Sequence, residues 1–378
     1  MSKLGNNKPR ILFVANVAKE HILKFHIPSI QKFKLEGWIV DVACSGEEEI
    51  PYCDNHYRMT WKRSPYSIKT LLGIRALRKI INANKYDVIY CHTPVGGFVG
   101  RVASINARKA GAKVVYFAHG LHFYKGAPLI NWFIFYPIEK LLARFTDTII
   151  TINREDYDNS KKLLGCPDVH LINGIGIDIK KFCNIDRKAC RSEVRKELSI
   201  PSDAWVLIYL AELLPNKNQG MLLDVLKRVM KYNPNTYLIL AGIDHYNGRY
   251  IEYAKKLGVL EHVRFLGWRD DKEALYAAAD ICTATSIREG FGINIVEAIA
   301  SGLPVVATDN RGHRMTVENG VNGYLVGIND SAKMAECIIN TIGKMDVSSY
   351  NLEKYDINNV LDDIYGIIST VIGIHNTH

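Results

Sequence analysis

The sequence lacks the signals of several protein classes. Its eight cysteines have no CxxC spacing and no companion histidine pattern. Nothing marks them as metal ligands, and reduced, mostly buried thiols in a cytosol are the simplest expectation. No secretory signal peptide is predicted, because residues 1–10 lead directly into a strand pattern. The most hydrophobic segment, 129–145, contains Glu139 and Arg144 and is not predicted to span a membrane.

A nucleic-acid recognition motif is also missing, which disfavours nucleic acid as a partner. The net charge of +9 is nevertheless unevenly distributed. Residues 1–170 hold 25 Lys and Arg against 14 Asp and Glu, whereas residues 171–378 hold 23 against 25. The whole positive excess therefore lies in the N-terminal half. This distribution indicates either an ordinary solvated surface or an anionic partner, such as a phosphorylated lipid or an anionic membrane face.

Strand and helix patterns alternate along the 378 residues, which are enough for two domains. Strands are predicted at 11–17, 38–44, 87–92, 113–118, 147–152, 169–172, 205–211, 237–242, 263–268, 281–286, 304–309 and 324–326. Predicted helices include 25–36, 67–82, 333–342 and 351–372. This alternation is typical of an α/β fold with doubly wound parallel sheets. A Gly-rich linker from Asn173 separates two predicted Rossmann-like domains, residues 1–174 and 184–350.

The most informative segment is 281–309, which has the pattern of strand, loop, helix, turn and strand. Gly290 and Gly292 precede the helix, where backbone N–H groups and the helix dipole favour an anion. Glycines there let a ligand approach the backbone. Glu289 lies in the loop and Glu297 in the helix. Because the helix is otherwise apolar, the charge of Glu297 needs a partner.

Three interpretations of these two carboxylates follow from the residues alone. In the first, Glu289 is a helix-start acid and Glu297 is solvated. In the second, both accept hydrogen bonds from a hydroxyl-rich ligand. In the third, they form a glycosidase-type acid/base pair. Eight residues of helix span about 12 Å, which is long for such a pair at roughly 5–9.5 Å and disfavours the third interpretation.

The same segment resembles a known family signature. The string Arg288-Glu289-Gly290-Phe291-Gly292, followed by Glu297-Ala298 and Gly302-Leu303-Pro304-Val305-Val306-Ala307, resembles that of the retaining glycosyltransferases of family 4. The resemblance implies the fold called GT-B, with two Rossmann-like domains, a cleft between them and a C-terminal helix, about 351–373, that packs back on the first. It also implies that Glu289 contacts the donor sugar, that Glu297 holds the nucleotide ribose, and that Gly290, Phe291 and Gly292 line the donor site.

Other family positions are matched in part. Lys217 matches a lysine that contacts the donor diphosphate. His119, which follows a predicted strand, matches a histidine close to the donor sugar and its phosphate. The arginine that usually accompanies the lysine is replaced by Glu212. We hypothesise that Arg311, after the strand pattern 304–309, supplies the missing positive charge.

Two further segments carry candidate site residues. The resemblance places the nucleotide base near Trp268 and Arg269, although packing of the Trp is an equal alternative. The first loop, 16–26, lacks the Gly-Gly pair of many relatives and looks like the bacterial capsular and exopolysaccharide branch of the family. Acceptor contact or simple packing is expected for three histidines: His21, His26 and His92.

The resemblance implies a retaining, metal-independent glycosyltransferase whose donor is a nucleotide-sugar, expected to be a UDP-sugar. No cofactor and no metal are expected, because Asp270-Asp271 is interpreted as a helix start rather than as a DxD-type metal site. Two alternatives stay open. One is a nucleotide-sugar epimerase of the same fold, and the other is a non-catalytic protein that binds nucleotide-sugars.

The acceptor is expected to be a lipid diphosphate that carries a growing glycan in bacterial surface-polysaccharide synthesis. The basic N-terminal half and the aromatics of residues 122–145 would suit a membrane interface. Packing of these aromatics against the first sheet is the alternative. The aromatics concerned are Phe123, Tyr124, Trp132, Phe133, Phe135 and Tyr136. We therefore predict a cytoplasmic protein, peripheral on the inner face of the cytoplasmic membrane.

Overall fold

The computed structural model describes residues 8–61 and 68–374. The chain divides into two compact units. Unit 1 takes the chain as far as Ile175 together with the segment that starts at Asn358, and unit 2 is Gly176–Ile357. The sequence analysis places the corresponding limits at residue 174 and at 184–350. Each unit is built on its own parallel sheet, which confirms the predicted fold class.

The sheet of unit 1 has seven strands within the described residues. They are β1 (Arg10–Val17), β2 (Ile39–Ser45), β3 (Asn55–Arg58), β4 (Val88–His92), β5 (Lys113–Ala118), β6 (Thr148–Thr151) and β7 (Asp168–Leu171). Their pairings are parallel, in the order β3-β2-β1-β4-β5-β6-β7. From β1 the next strands are added on one side of the sheet, and from β4 onward they are added on the other side, so the strand order changes direction between β1 and β4. In such sheets the ligand crevice lies at this switch point, past the carboxyl ends of the strands.

The helices of unit 1 lie in the connections between these strands. They are α1 (Ile27–Leu35), α2 (Ile68–Asn84), α3 (Pro94–Ala103), α4 (Ile105–Lys109), α5 (Leu129–Ala143) and α6 (Arg154–Asn159), with π-helical segments at Ala18–His26 and Ser160–Leu164. The first residue of the predicted helix 67–82, Ser67, lies outside the described residues. The C-terminal segment of unit 1 contacts α1 and the start of β2, because Tyr365 packs against Phe33 and Trp38.

Unit 2 repeats the same strand order with six strands among the residues that the structure describes. They are β8 (Trp205–Leu210), β9 (Thr236–Ala241), β10 (Val263–Phe265), β11 (Ile281–Ala284), β12 (Val305–Thr308) and β13 (Gly323–Val326). The order is β10-β9-β8-β11-β12-β13, so the switch point lies between β8 and β11. The helices of unit 2 are α7 (Ile179–Cys183), α8 (Arg187–Glu197), α9 (Gln219–Val229), α10 (Arg249–Leu257), α11 (Lys272–Ala278), α12 (Ile293–Ala300) and α13 (Ser331–Thr341). The last helix, α14 (Ile357–Val371), starts at the final residue of unit 2 and otherwise belongs to unit 1.

The strands form where continuous apolar runs can be buried on both faces of a parallel sheet. Residues 11–15 of β1 and residues 206–208 of β8 are completely buried. The edge strand β3 was missed by the sequence analysis, because its sequence NHYR is polar and only half-buried. The predicted helix 25–36 is instead a π-helical segment followed by α1, which starts beside Pro28. The predicted helix 351–372 begins only at Ile357, after a 3₁₀ turn at Glu353–Tyr355.

A buried ion pair fixes α5 to the core of unit 1. The guanidinium of Arg101 on α3 is completely buried and donates to both carboxylate oxygens of Glu139, at 2.8 and 3.0 Å. It also lies 4.0 Å from the ring centroid of Tyr116. Such a pair is costly to desolvate but far more costly to break, because one buried charge would remain uncompensated. Glu139 therefore points into unit 1 and sets the orientation of α5.

Two negative expectations concern cysteines and membrane spans. All eight cysteines are free thiols, as the sequence analysis expected, but only four of them, rather than most, are buried. Among the described residues, no helix combines the length and the hydropathy that crossing a membrane requires.

Candidate active site

At the switch point of unit 2, two loops that follow the carboxyl ends of β8 and β11 are hydrogen-bonded to each other; this end of the sheet is called the switch-point edge. A 3₁₀ turn, Pro215–Lys217, follows β8, and the loop of residues 285–292 follows β11. Thr285 Oγ1 donates to the Lys217 carbonyl at 2.9 Å, and Asn216 Nδ2 donates to the Arg288 carbonyl at 3.0 Å. These hydrogen bonds position the backbone on both sides of the Lys217 side chain.

Lys217 and Glu289 form an ion pair at this edge. Lys217 Nζ lies 2.5 Å from Glu289 Oε1, and the side chains are 24% and 18% exposed. Ser286 Oγ donates to the same oxygen at 2.6 Å and is itself 2.6 Å from the hydroxyl of Tyr209. Burial alone would raise the pKa of Glu289, but Lys217, His313 and the Ser286 hydrogen bond outweigh it and lower this pKa. Glu289 is therefore ionised at neutral pH.

Two glycines let the backbone close around Glu289. Gly292, the N-cap residue of α12, has a φ of 101°, a conformation that disfavours any side chain. A Cβ on Gly312 would lie 2.7 Å from Glu289 Cβ, so only glycine fits there. The loop that contains Gly312 is fastened by Asn310, whose amide donates to the Ser286 carbonyl at 3.0 Å. The carboxylate thus lies between three loops of unit 2, next to the start of α12.

Glu297 has partners within the protein. It lies on α12, is only 6% exposed, and accepts from Lys272 Nζ at 2.8 Å and from the Tyr276 hydroxyl at 3.2 Å. These two residues of α11 are the partners that the sequence analysis expected the charge of Glu297 to need. The side chain of Lys272 is 40% exposed and that of Glu297 only 8%, so Lys272 can leave for solvent only where another donor replaces it on the buried carboxylate.

The remaining candidate residues of unit 2 include Phe291, Gly290, Arg311 and Glu212. Phe291 is buried with its ring 5.8 Å from that of Tyr355, so its backbone rather than its ring is presented at the start of α12. Gly290 precedes it in the same loop. Arg311 is buried in the loop after β12, directly before Gly312. Its role in place of the family arginine stays a prediction. The backbone carbonyl of Glu212 accepts from Gln219 Nε2 at 2.9 Å.

Trp268 and Arg269 follow β10, at the far edge of the sheet order. Trp268 is 54% exposed and donates from Nε1 to Asp270 at 2.9 Å. Arg269 forms ion pairs with Asp271 and with Glu197, both at 2.6 Å. Over residues 8–61 and 68–374, neither side chain makes a hydrogen bond or ion pair with Glu289 or Lys217. Asp271 is the N-cap residue of α11, as the interpretation of a helix start expected.

The four predicted histidines lie together at the switch-point edge of unit 1. His21 and His26 belong to the π-helical segment after β1, His92 ends β4, and His119 follows β5. One ring nitrogen of each lies within 4.8 Å of one ring nitrogen of every other. Burial lowers the pKa of His21 to about 4 and lowers the pKa of the other three well below the ordinary histidine value. All four rings are therefore neutral at pH 7.

Comparison with known proteins identifies the family. Residues 10–153 match the family model described as "Glycosyl transferase 4-like", and residues 191–348 match "Glycosyl transferases group 1". EpsD of Bacillus subtilis (strain 168), a protein named as a glycosyltransferase, is 41% identical over 87% of this chain and 86% of its own. The chain belongs to the GT-B glycosyltransferases of this family.

Two further comparisons describe relatives of this glycosyltransferase. The UDP-Gal:alpha-D-GlcNAc-diphosphoundecaprenol alpha-1,3-galactosyltransferase of Escherichia coli is 26% identical over 80% of each chain. The crystal structure of Anabaena HepE in complex with UDP and glucose has a TM-score of 0.77 and 22% identity, and covers 95% of this chain and 99% of its own. At that identity, the second comparison supports the fold alone.

Several residues of the glycosyltransferase site escaped sequence reasoning. Ser286, Tyr209 and Asn310 support Glu289, while Lys272 and Tyr276 bind Glu297. Ser286 precedes the signature by only two positions, so its place in the loop was a usable signal. The others come from elements distant in the sequence, and only the sheet order brings them to this edge. The catalytic and binding roles of the predicted residues stay predictions.

Proposed function

We propose that this glycosyltransferase is a retaining, metal-independent hexosyltransferase. Its donor would be a UDP-sugar, and its acceptor a hydroxyl of a lipid-diphosphate-linked glycan in bacterial surface-polysaccharide synthesis. The observation that carries the donor half of the proposal is the pairing of Lys217 with Glu289 beside the start of α12. The name of the E. coli relative, which includes UDP-Gal, supports the choice of UDP.

We interpret the ion pair between Lys217 and Glu289 as the arrangement of the ligand-free site, and we expect the bound donor to separate the two side chains. The ammonium group of Lys217 turns to the diphosphate, and Glu289 accepts hydrogen bonds from hydroxyls of the sugar. Ser286 stays on Glu289 and keeps its orientation when the lysine leaves. The backbone N–H groups at the start of α12 add positive potential for the diphosphate. Donor binding therefore exchanges one set of charge-assisted hydrogen bonds for another.

Glu297 is assigned to the ribose by the same reasoning. A buried carboxylate accepts strong hydrogen bonds from two vicinal hydroxyls. Its two oxygens already accept from Lys272 and Tyr276, one each. The ribose would displace Lys272, which is the more exposed partner, while Tyr276 holds the carboxylate in place. Lys272 would then turn to solvent.

The proposed reaction transfers the sugar with retention. The bond between the anomeric carbon and the phosphate oxygen breaks, and its electron pair stays on the departing UDP. The acceptor hydroxyl oxygen forms the new bond to the same face of the anomeric carbon, and its proton passes to the leaving phosphate oxygen. Lys217 and the start of α12 stabilise the charge that grows on the diphosphate, which is the electrostatic contribution expected of such a site.

A lipid-linked acceptor is supported by the relatives and by a surface of unit 1. The E. coli relative is named for transfer to a diphosphoundecaprenol-linked sugar. On α5, Leu129, Ile130, Phe133 and Ile134 are 75%, 59%, 75% and 38% exposed, at spacings that place them on one helical face. Together with the excess of Lys and Arg in residues 1–170, this apolar α5 face fits an anionic lipid surface.

The packing of unit 1 revises which aromatics could meet a membrane. Phe123 is completely buried, with its ring 5.5 Å from that of Trp132 and 5.4 Å from that of Tyr136. These three rings, and Phe135, belong to or pack against the core of unit 1, as the alternative interpretation held. Of this aromatic group, Phe133 is the strongly exposed side chain, and the other exposed apolar groups are aliphatic.

One assay separates the proposed activity from its alternatives. The purified protein is incubated with UDP-, GDP- or ADP-sugars, with and without a polyprenyl-diphosphate-linked sugar, and products are followed by NMR. We expect UDP release that requires the acceptor and a product with the donor's anomeric configuration. Inversion of configuration would refute retention. Donor conversion without acceptor would instead indicate an epimerase, and binding without turnover a non-catalytic protein.

Membrane attachment is tested by co-sedimentation with vesicles of rising anionic-lipid content at low and high salt. We expect binding that increases with anionic lipid and decreases with salt. Leu129→Glu should weaken it several-fold, whereas the matched control Leu35→Glu, at a residue 78% exposed on unit 1, should not. Binding that is absent, or equally weakened by both changes, would refute the role of the apolar α5 face.

A further inference from the structure

The four histidines of unit 1 form a cluster whose polar atoms face one another. Their ring centroids are close: 4.0 Å for His26 and His92, 4.7 Å for His21 and His119, and 5.2 Å for His26 and His119. His21 Nε2 and His26 Nε2 are 3.1 Å apart. Because three separate connections of the sheet contribute these residues, the cluster is a product of the fold rather than of a local motif.

Three of the eight ring nitrogens in this cluster are buried without a hydrogen-bond partner among the described residues. His92 is completely buried, and neither of its ring nitrogens has a partner within the described residues. The same holds for the buried Nε2 of His119. The ring of His92 is enclosed by the rings of Phe13, Tyr90 and Phe117, at centroid distances of 4.2–5.7 Å. Buried polar atoms without partners are rare and call for an explanation, of which a bound ion is one.

The π-helical segment brings two of the histidines to the same side. His21 and His26 are five residues apart, and in an α-helix that separation would turn their side chains roughly 140° from each other. The wider π turn, with its i to i+5 repeat, brings them nearly into line. Short π-helical segments occur frequently at functional sites. The backbone irregularity after β1 therefore serves to complete the cluster.

We propose that His21, His26, His92 and His119 bind one divalent transition-metal ion, with Zn²⁺ as the best match. Neutral imidazole nitrogens are preferred ligands of Zn²⁺ and its neighbours, whereas Mg²⁺ and Ca²⁺ require oxygen ligands, which this set does not offer. In a tetrahedral site with Zn–N bonds of about 2.0–2.1 Å, ligand nitrogens lie roughly 3.3 Å apart. The pair of His21 and His26 already has this spacing, and the wider pairs must close by up to about 1.5 Å.

This site does not depend on the proposed function. The family resemblance implies that His119 lies close to the donor sugar and its phosphate, and an ion bound through Nε2 of His119 would prevent that contact. Metal-loaded protein is therefore expected to have lower transferase activity than metal-free protein. Metal binding itself is measured without any sugar substrate, so failure of the transfer assay leaves this proposal standing, and the reverse is also true.

The test is metal binding by the full-length protein. After treatment with a chelator and dialysis, the protein is titrated with Zn²⁺ by calorimetry and with Co²⁺ by visible absorption. We expect one equivalent per chain and the intense d–d bands of tetrahedral Co²⁺. His21→Ala, at a half-buried position, and His92→Asn, within the core, should each weaken Zn²⁺ binding by at least about 100-fold, since even indirect changes cost about 10–100-fold.

The matched control is His245→Ala, at an exposed histidine of unit 2. It should bind Zn²⁺ as the unaltered protein does. Circular dichroism of each variant verifies that the fold is retained, and His21→Ala keeps the test valid if His92→Asn unfolds. Absence of a stoichiometric site, weak octahedral Co²⁺ bands, or equal Zn²⁺ affinity in His21→Ala and His245→Ala would overturn the proposal.

Discussion

Replacement of Lys217 by alanine tests the central assumption about the donor site. The ammonium group lies 2.5 Å from Glu289 and is only 24% exposed, so it interacts in an environment that is less screened than bulk water. In the transition state it would stabilise charge that grows on the diphosphate. Loss of one such donor costs about 2.7–4 kcal/mol, which corresponds to a decrease in kcat of about 10²–10³-fold. The N–H groups at the start of α12 remain, so we expect the lower end of this range.

The same change alters the titration of Glu289. In the folded protein, burial raises the pKa of Glu289, but Lys217, His313 and Ser286 together lower it by more than burial raises it. The carboxyl is therefore ionised above this reduced pKa. Without Lys217, the effect of burial is opposed by less, and the pKa of Glu289 rises. Because an ionised Glu289 is needed to accept hydrogen bonds from the sugar, the acidic limb of the kcat/KM profile should move to higher pH in Lys217→Ala.

The assay is steady-state UDP release at saturating acceptor, measured across pH, together with calorimetry for UDP. Lys217→Ala should reduce kcat about 10²-fold while changing UDP affinity less. The control is Lys333→Ala, which removes an exposed lysine that pairs with Glu336 at 2.8 Å, and it should leave kcat unchanged. A kcat for Lys217→Ala within about threefold of the control, with an unmoved acidic limb, would refute the assignment of Lys217 to the leaving group.

Three further predictions concern the other charged groups. Glu297→Ala should weaken UDP binding by roughly 10–150-fold in calorimetry, since a hydrogen bond to a charged group contributes about 1.5–3 kcal/mol; unchanged affinity would remove Glu297 from the ribose site. Glu289→Ala should lose turnover yet keep most UDP affinity, and equal loss of UDP binding in both variants would contradict the division of roles. Arg101→Ala should lower the free energy of unfolding by about 3–5 kcal/mol in urea titrations. The double variant Arg101→Met with Glu139→Leu should recover most of the lost stability. A loss under about 1 kcal/mol in the single variant would be inconsistent with an uncompensated buried charge.

Sequence reasoning succeeded where local pattern determines local structure. The predicted order of strand, loop, helix, turn and strand over 281–309 is confirmed, and its helix is Ile293–Ala300, because an apolar run between a Gly-rich start and Gly302 leaves little alternative. It failed where the local sequence lacks an apolar pattern, as at β3. It also missed the π-helical Ala18–His26, since an amphipathic segment has no simple signal for the wider turn.

The candidate site was predictable residue by residue but not as an arrangement. Glu297 clearly needed a partner, yet its partners Lys272 and Tyr276 lie on a preceding helix and are identified only by the packing of α11 near α12. The four histidines were each noted as single candidates. Their convergence follows from the order β1-β4-β5, which places three strand ends side by side, and strand order was not part of the prediction.

The two switch-point edges have the same topology but opposite electrostatic character, and this difference predicts how salt affects them. In unit 2, Lys217 and Glu289 form an ion pair before any ligand arrives, so binding of the anionic UDP exchanges charged partners and should weaken as ionic strength screens them. In unit 1, burial keeps the four imidazoles neutral, and a metal ion is held there by bonds to uncharged nitrogens. Calorimetry at low and high NaCl should therefore show a marked loss of UDP affinity and little loss of Zn²⁺ affinity. If UDP affinity is insensitive to salt, the contacts with the diphosphate are not ionic, and the assignment of Lys217 to the phosphates is wrong.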